Sequence, residues 1–135
     1  SQYLKHLLFA SYLPAEMGVL LSFIRKGNRI YHLQVTRHAN GEDGLDASTM
    51  ELLRAKMPEA NPAKVEQVLS THIQRGTVAA AAFVGGQTGF SGPAVMATLE
   101  TKSSNARATF LRAVVSGQPR EALAVWSAIR SGSLR

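Results

Sequence analysis

The sequence predicts a helix-rich α+β fold, with about five to seven short helices packed on a small sheet. Three observations support this. Apolar residues recur at helical spacing in several segments, whereas residues 29–38 alternate between apolar and polar side chains, as in a strand. Residues 78–84 are all apolar and require burial on most sides. The chain has 135 residues, 45% hydrophobic and 18% charged, which predicts one ordered globular domain, 1–135.

Two short amphipathic helices are predicted at the start of the chain. The first covers roughly residues 2–12, and the second begins at Pro14 with an apolar face formed by Met17, Leu20, Leu21 and Ile24. Residues 7–24 are apolar enough for a membrane span to be considered. Pro14 and Glu16 interrupt them, however, and a charge at bilayer depth costs about 2.5 kcal/mol or more. We therefore expect no membrane span.

Residues 29–38 form the clearest predicted strand. Its apolar face comprises Tyr31, Leu33 and Val35, and its polar face comprises His32, Gln34, Thr36 and His38. The two histidines suggest a metal site, but six residues of strand span about 20 Å, too far to share one ion. The chain has no cysteine, which excludes disulfides and thiolate metal sites and is compatible with the cytoplasm or another reducing compartment. We expect no metal and no cofactor.

A turn and two helices are predicted next. Residues 39–45 have turn composition, and the following helix begins either at an Asp46 cap or at a Ser48–Glu51 capping box. It runs through Met57 with its inward face formed by Met50, Leu53 and Met57. Asn61 and Pro62 begin another helix, which Gly76 is expected to end. His72 falls on its apolar face, which indicates a core or boundary histidine rather than a catalytic base.

Residues 77–99 combine an uncharged apolar run, a glycine cluster and a helix start. We predict a central strand over 77–84, because valine and phenylalanine favour strands, although its four alanines leave a packed helix as the alternative. The Gly85–Gly92 loop fits either a tight turn, which we favour, or an anion cradle. Its spacing matches neither a Walker loop nor a dinucleotide fingerprint. Pro93 then begins a helix capped by Ser91 or Gly92.

A helical hairpin is predicted over residues 105–132. Ser103 to Asn105 cap its first helix, which Gly117 closes, and Pro119 begins its second helix, which Gly132 stops. The inward residues of the two helices are Phe110, Leu111, Val114, Val115, Ala122, Val125, Trp126 and Ile129. Arg107 and Arg112 are expected to face outward.

Charge is the main indication of function. The chain carries a net charge of +6, and residues 102–135 contain six basic residues against one acidic residue. Such an excess favours a polyanionic partner, because lysine and arginine bind phosphate with release of counterions. We therefore predict a nucleic-acid-binding protein, with RNA ahead of DNA and little sequence specificity. The predicted contacts are Lys102, Arg107, Arg112, Arg120 and Arg130, with Arg25, Lys26, Arg29 and Arg37 as a second patch.

An oligomeric structural subunit, such as a capsid-associated, nucleocapsid or scaffolding protein, is the alternative. The first two predicted helices carry more apolar residues than one helix face needs, and surplus apolar surface commonly meets another copy. An enzyme is not expected, because neither the histidines nor the acidic residues at 42–46 have a diagnostic catalytic spacing.

Overall fold

The computed structural model describes residues 14–25, 29–115 and 119–135, and these residues form seven helices. The helices are α1 Pro14–Arg25, α2 Arg29–Ala39, α3 Ala47–Lys56, α4 Pro62–Thr88, α5 Gly92–Glu100, α6 Ser104–Val115 and α7 Pro119–Ser131. The described residues contain no strand, so this part of the chain is all-α and the predicted α+β class is wrong. The helix predicted over residues 2–12 lies outside the described residues.

The strand predicted over residues 29–38 is wrong, because these residues lie in α2. The buried residues of α2 follow helical spacing: Tyr31, Gln34, Val35 and Ala39. Tyr31 and Val35 are four residues apart, so their burial fits the helical period and the strand period alike. Leu33 separates the two, because only the strand pattern places it inward and it is 41% exposed. A polar residue, Gln34, occupies one of the buried helical positions, and this hides the helical period in the sequence.

The strand predicted over residues 77–84 and the helix end predicted at Gly76 are also wrong, because α4 continues to Thr88. Buried residues keep helical spacing past Gly76, at Thr77, Ala81 and Val84. A Cβ atom at Gly76 would lie 3.4 Å from Cγ1 of Val114 in α6. This glycine therefore lies at a contact between α4 and α6 instead of ending a helix. The high helix propensity of the four alanines agrees with the continuous helix.

The contacts divide the chain into two compact units. The first takes its described residues from Ser1–Gln34 and Gly44–Thr71, and the second comprises Val35–Asp43 and His72–Arg135. The prediction of a single domain stays a prediction. None of the described helices is both long enough and apolar enough to cross a membrane.

The first unit is organised around hydrogen-bonded polar groups as well as apolar side chains. The buried amide of Gln34 donates to Oδ1 of Asp46 at 3.0 Å, and the buried hydroxyl of Thr49 donates to the same oxygen. Asp46 occupies the N-cap position of α3, as one of the two predicted alternatives requires. Its carboxylate accepts hydrogen bonds from these side chains rather than from the helix backbone. Pairing of this kind offsets the cost of burying polar groups.

A buried carboxylate joins α1 to the start of α4. Glu16 is 1% exposed, and its Oε1 accepts a hydrogen bond from the backbone N–H of Asn61 at 2.8 Å. The Asn61 side chain accepts from the N–H groups of Ala63 and Lys64, so the predicted Asn61 cap is confirmed.

The chain reverses sharply between α4 and α5. Gly89, with φ of +81°, follows the end of α4, and the hydroxyl of Ser91 accepts from the N–H of Ala94 at 3.1 Å. The predicted Ser91 cap is therefore confirmed. Gly85 lies inside α4, where a Cβ atom would be 2.7 Å from the carbonyl carbon of Ser91. Its missing side chain allows the returning backbone to cross the helix closely.

The core of the second unit lies among α4, α5, α6 and α7. Phe110 of α6 and Trp126 of α7 are its largest fully buried side chains, packed with Val84 and Val95. The last two helices, α6 and α7, pack against each other. Four of the eight basic residues of the second unit lie in these two helices.

Candidate nucleic-acid interface

Positive charge is concentrated in the second unit, which contains eight basic and four acidic residues. Among the residues that the structure describes, one ion pair occurs, between Nη1 of Arg37 and Oε1 of Glu42 at 3.6 Å. The other seven basic residues of this unit are not ion-paired with a described carboxylate. Their charge therefore acts largely uncompensated on the surroundings of the unit.

The two arginines of the predicted second patch whose side chains the structure describes have different surroundings. Arg29 is exposed at the start of α2, whereas the partly buried Arg37 pairs with Glu42 and donates from Nη2 to the Asp43 carbonyl at 3.0 Å. The sequence does not indicate this pairing, because Glu42 lies beyond the end of α2 and reaches Arg37 only when the turn folds back toward the helix. The side chain of Arg25 and the whole of Lys26 lie outside the described residues.

Arg107 and Arg112 are partly buried and hydrogen-bonded within the second unit, rather than fully outward as predicted. Arg107 donates to the Ala39 carbonyl, to the Lys102 carbonyl and to the Ser104 hydroxyl. Arg112 donates to the hydroxyl groups of Thr36 and Thr109. All five acceptors are uncharged, so both guanidinium groups retain their full positive charge while part of their donor capacity is used internally.

Five cations of the second unit remain more available. Arg75, Arg120, Arg130 and Arg135 are exposed, and Lys102 is half-buried. The backbone N–H of Ser103 donates to the carbonyl of Arg135 at 3.1 Å, which brings the residue after Lys102 next to Arg135. Sequence reasoning did not include Arg135 among the contacts, because its neighbour in space is more than thirty positions away in sequence.

An aromatic ring accompanies one of these cations. Phe90 lies in the turn between α4 and α5 and is 39% exposed. Its ring meets that of Trp126 edge to face, with centroids 5.8 Å apart. The guanidinium carbon of Arg130 lies 4.7 Å from the Phe90 centroid, within cation–π range. Sequence reasoning missed Phe90, because the surrounding glycines suggested only a turn or an anion cradle.

A cleft of about 180 Å³ opens in the same unit. Its polar lining comes from His38, Gln74, Glu100 and Arg107, and its apolar lining includes Met96, Leu99 and Leu111. Leu99 and Leu111 are 5% and 7% exposed, so they form a fixed apolar surface. Glu100 and Arg107 form no ion pair with each other, although both line this small cleft.

The described histidines form no metal-binding cluster, although His38 lines the cleft that also contains Glu100. His32 and His38 lie in α2 rather than on a strand, and no cluster of three potential metal ligands occurs among the described residues. His72 is half-buried in α4, as predicted for a boundary histidine, and burial lowers its pKa. Such a histidine favours its neutral form inside the folded protein.

Comparison with protein-family models, with curated proteins and with solved structures finds no match to this chain.

Proposed function

We propose that the chain is a non-enzymatic nucleic-acid-binding protein that holds RNA through its second unit. The observation that carries this proposal is the set of seven basic residues in that unit without a described carboxylate partner. Uncompensated cations on one compact unit provide the electrostatic attraction that dominates binding to a phosphate backbone.

The contacts divide into two groups according to their hydrogen bonds. Arg120, Arg130, Arg135 and Lys102 have exposed or half-exposed side chains and bind phosphates directly. Arg107 and Arg112 have part of their donors committed to neutral acceptors, so toward the phosphate backbone they act mainly by adding positive potential. Contacts to phosphate carry no sequence information, which agrees with the expected low specificity.

Phe90 favours single-stranded RNA over a duplex. Proteins that hold single strands combine a cationic surface with aromatic rings on which unpaired bases stack. The exposed part of Phe90 lies beside Arg130, so a base on the ring and a phosphate on the guanidinium belong to one short stretch of strand. Bases inside a duplex are already stacked and do not offer this contact.

A charge-neutralising variant tests the proposal. The triple variant R120Q/R130Q/R135Q removes three exposed cations from the second unit. Its matched control, R54Q/K56Q/K64Q, removes three exposed cations from the first unit and changes the net charge equally. Binding of both to single-stranded and duplex RNA and DNA is measured by fluorescence anisotropy over a range of salt concentrations.

The first variant is expected to lose most of its RNA affinity and the control little. Each lost phosphate contact lowers the slope of log K against log salt by about 0.7 on a single strand, so three contacts lower it by about 2. Equal losses of RNA affinity in both variants would show that RNA is attracted by the total charge of the protein and not by the second unit in particular. No binding of wild-type protein at low salt would contradict the proposal altogether.

A second candidate function, self-association as an assembly subunit, is supported by the exposed face of α4. Val78 is 50% exposed and Phe83 is 37% exposed, and the segment 76–99 contains no charged residue. Two copies meeting through this face would bury these apolar side chains against each other. Helices presenting such faces are typical of subunits that form symmetric oligomers.

Light scattering after size-exclusion chromatography tests this second candidate. The wild-type mass should rise with protein concentration, and V78S/F83S should remain monomeric. L33S supplies the control, because Leu33 is similarly exposed, at 41%, on a different helix. A concentration-independent wild-type monomer would end this candidate.

A further inference from the structure

We propose that the cleft beside the C-terminal end of α2 receives one unstacked guanine base of the bound RNA. This inference rests on the proposed function and adds base selection to it. The cleft lies within the second unit and shares Arg107 with the positively charged set described above.

The arrangement of charges in the cleft is the main argument. Glu100 and Arg107 line the same small space without forming an ion pair with each other. A carboxylate only accepts hydrogen bonds and a guanidinium only donates them. A ligand that fits both therefore has to offer donors on one edge and acceptors on another.

Arg107 is held in place and still has donors to offer. Three of its N–H groups donate to Ala39, Lys102 and Ser104, which fixes the plane of the guanidinium. A guanidinium has five N–H donors, so two remain. A guanidinium fixed in this way is preorganised to recognise a pair of neighbouring acceptors.

The size of the cleft limits the ligand to one ring system. Its volume is about 180 Å³. Leu99, Leu111 and Met96 provide an apolar surface against which a flat base can lie. The cleft is smaller than the roughly 300 Å³ or more of typical drug-sized sites.

Guanine meets these requirements better than the other bases. Its O6 and N7 atoms accept from arginine in the most common specific base contact, and its N1–H and N2 amine donate toward a carboxylate. Adenine and uracil each place a donor and an acceptor side by side on the edge that would face arginine or glutamate. Cytosine offers a single donor group, its N4 amine, to the carboxylate.

The test uses short oligouridines that carry one central guanosine, inosine, adenosine or cytidine. Wild-type protein should bind the guanosine oligomer about tenfold more tightly than plain oligouridine, as a good bidentate base contact predicts. Inosine lacks the N2 amine and should fall between the two, and this comparison needs no protein variant.

The variant E100Q should remove the preference for guanosine without weakening binding to plain oligouridine. E121Q provides the control, because it removes the same charge from an exposed position on α7 outside the cleft. RNA binding without any preference for guanosine, or a preference that E100Q leaves intact, would overturn the cleft proposal and leave the phosphate surface standing. Failure to bind any oligomer at low salt would instead overturn the proposed function and the cleft with it.

Discussion

The guanidinium group of Arg107 donates from Nε to the carbonyl oxygen of Ala39, the last residue of α2 and 68 positions earlier in the chain. Through Nη1 it also donates to the carbonyl of Lys102 at 2.6 Å. The last carbonyl groups of a helix have no partner within the helix, and a cation suits their negative end of the dipole. One side chain thus completes the end of α2 and fixes the turn before α6.

We predict that R107A lowers the free energy of unfolding by about 1–3 kcal/mol, because it leaves partly buried carbonyl groups without a donor. Urea denaturation measures the change. R120A serves as the control, since Arg120 is exposed and surface substitutions usually change stability by about 0.5 kcal/mol or less. Equal stability of the two variants would show that the Arg107 hydrogen bonds add nothing.

Two neighbouring glycines of α4 should respond to alanine in opposite directions. A Cβ atom at Gly85 would lie 2.7 Å from the carbonyl carbon of Ser91, so G85A should destabilise the protein by about 1–3 kcal/mol. A Cβ atom at Gly86 meets nothing within 4 Å, so G86A should gain about 0.5–1 kcal/mol of helix propensity. Urea midpoints of both variants check the prediction, and a stable G85A would refute the close crossing of α4 by the returning backbone.

Stability should fall in alkaline solution through Tyr31. Burial raises the pKa of Tyr31 from 10.0 to about 12. The folded state therefore binds the phenolic proton more tightly than the unfolded state, and this contribution is complete below pH 10 and lost as the pH rises toward 12. Y31F cannot ionise at this position, so its urea midpoint should fall less between neutral and alkaline pH. Parallel curves for the two proteins would contradict the prediction.

The Phe90 ring should contribute to RNA affinity independently of charge. F90L is expected to weaken the binding free energy of single-stranded RNA by about 1–3 kcal/mol, which is the contribution of one base stacked on an aromatic ring. The salt slope should not change, because no charge is removed. F83L, an exposed phenylalanine of α4 away from the Arg130 contact, provides the control. Circular dichroism verifies folding, and an unchanged F90L affinity would exclude base stacking at this ring.

Helix ends were predictable wherever a local side chain caps them. Ser91, Asn61 and Pro119 begin helices in the structure as their sequence context indicates. Glycine was less informative, because it serves close packing as well as helix ends. Gly132, with φ of +83°, follows the end of α7, whereas Gly76 lies within α4 against Val114.

The two strand predictions failed for different reasons. In α2 the buried Gln34 disguises the apolar face, and its burial depends on Asp46 and Thr49, which local periodicity cannot reveal. In α4 the alanine-rich run fits strand and helix equally until its tertiary neighbours are known. Periodicity is a reliable signal only where the buried face is apolar and the exposed face is polar.

The charge asymmetry of the candidate site was visible in the sequence, but the state of each cation was not. The sequence shows that residues 102–135 are basic, yet it does not separate the internally bonded Arg107 and Arg112 from the exposed Arg120 and Arg130. The contact of Phe90 with Arg130 and the cleft holding Glu100 depend on how distant helices meet.

The uncharged segment 76–99 also has a practical consequence for handling the protein. Once the helices separate, this stretch loses its packing partners, and its apolar part, residues 77–84, has no charged residue or proline to discourage intermolecular β-pairing. Heated samples are then expected to precipitate rather than refold. The apparent melting temperature would therefore depend on the rate of aggregation and not on the equilibrium between folded and unfolded protein. Dilute solutions and chemical denaturants suit this chain better than thermal scans.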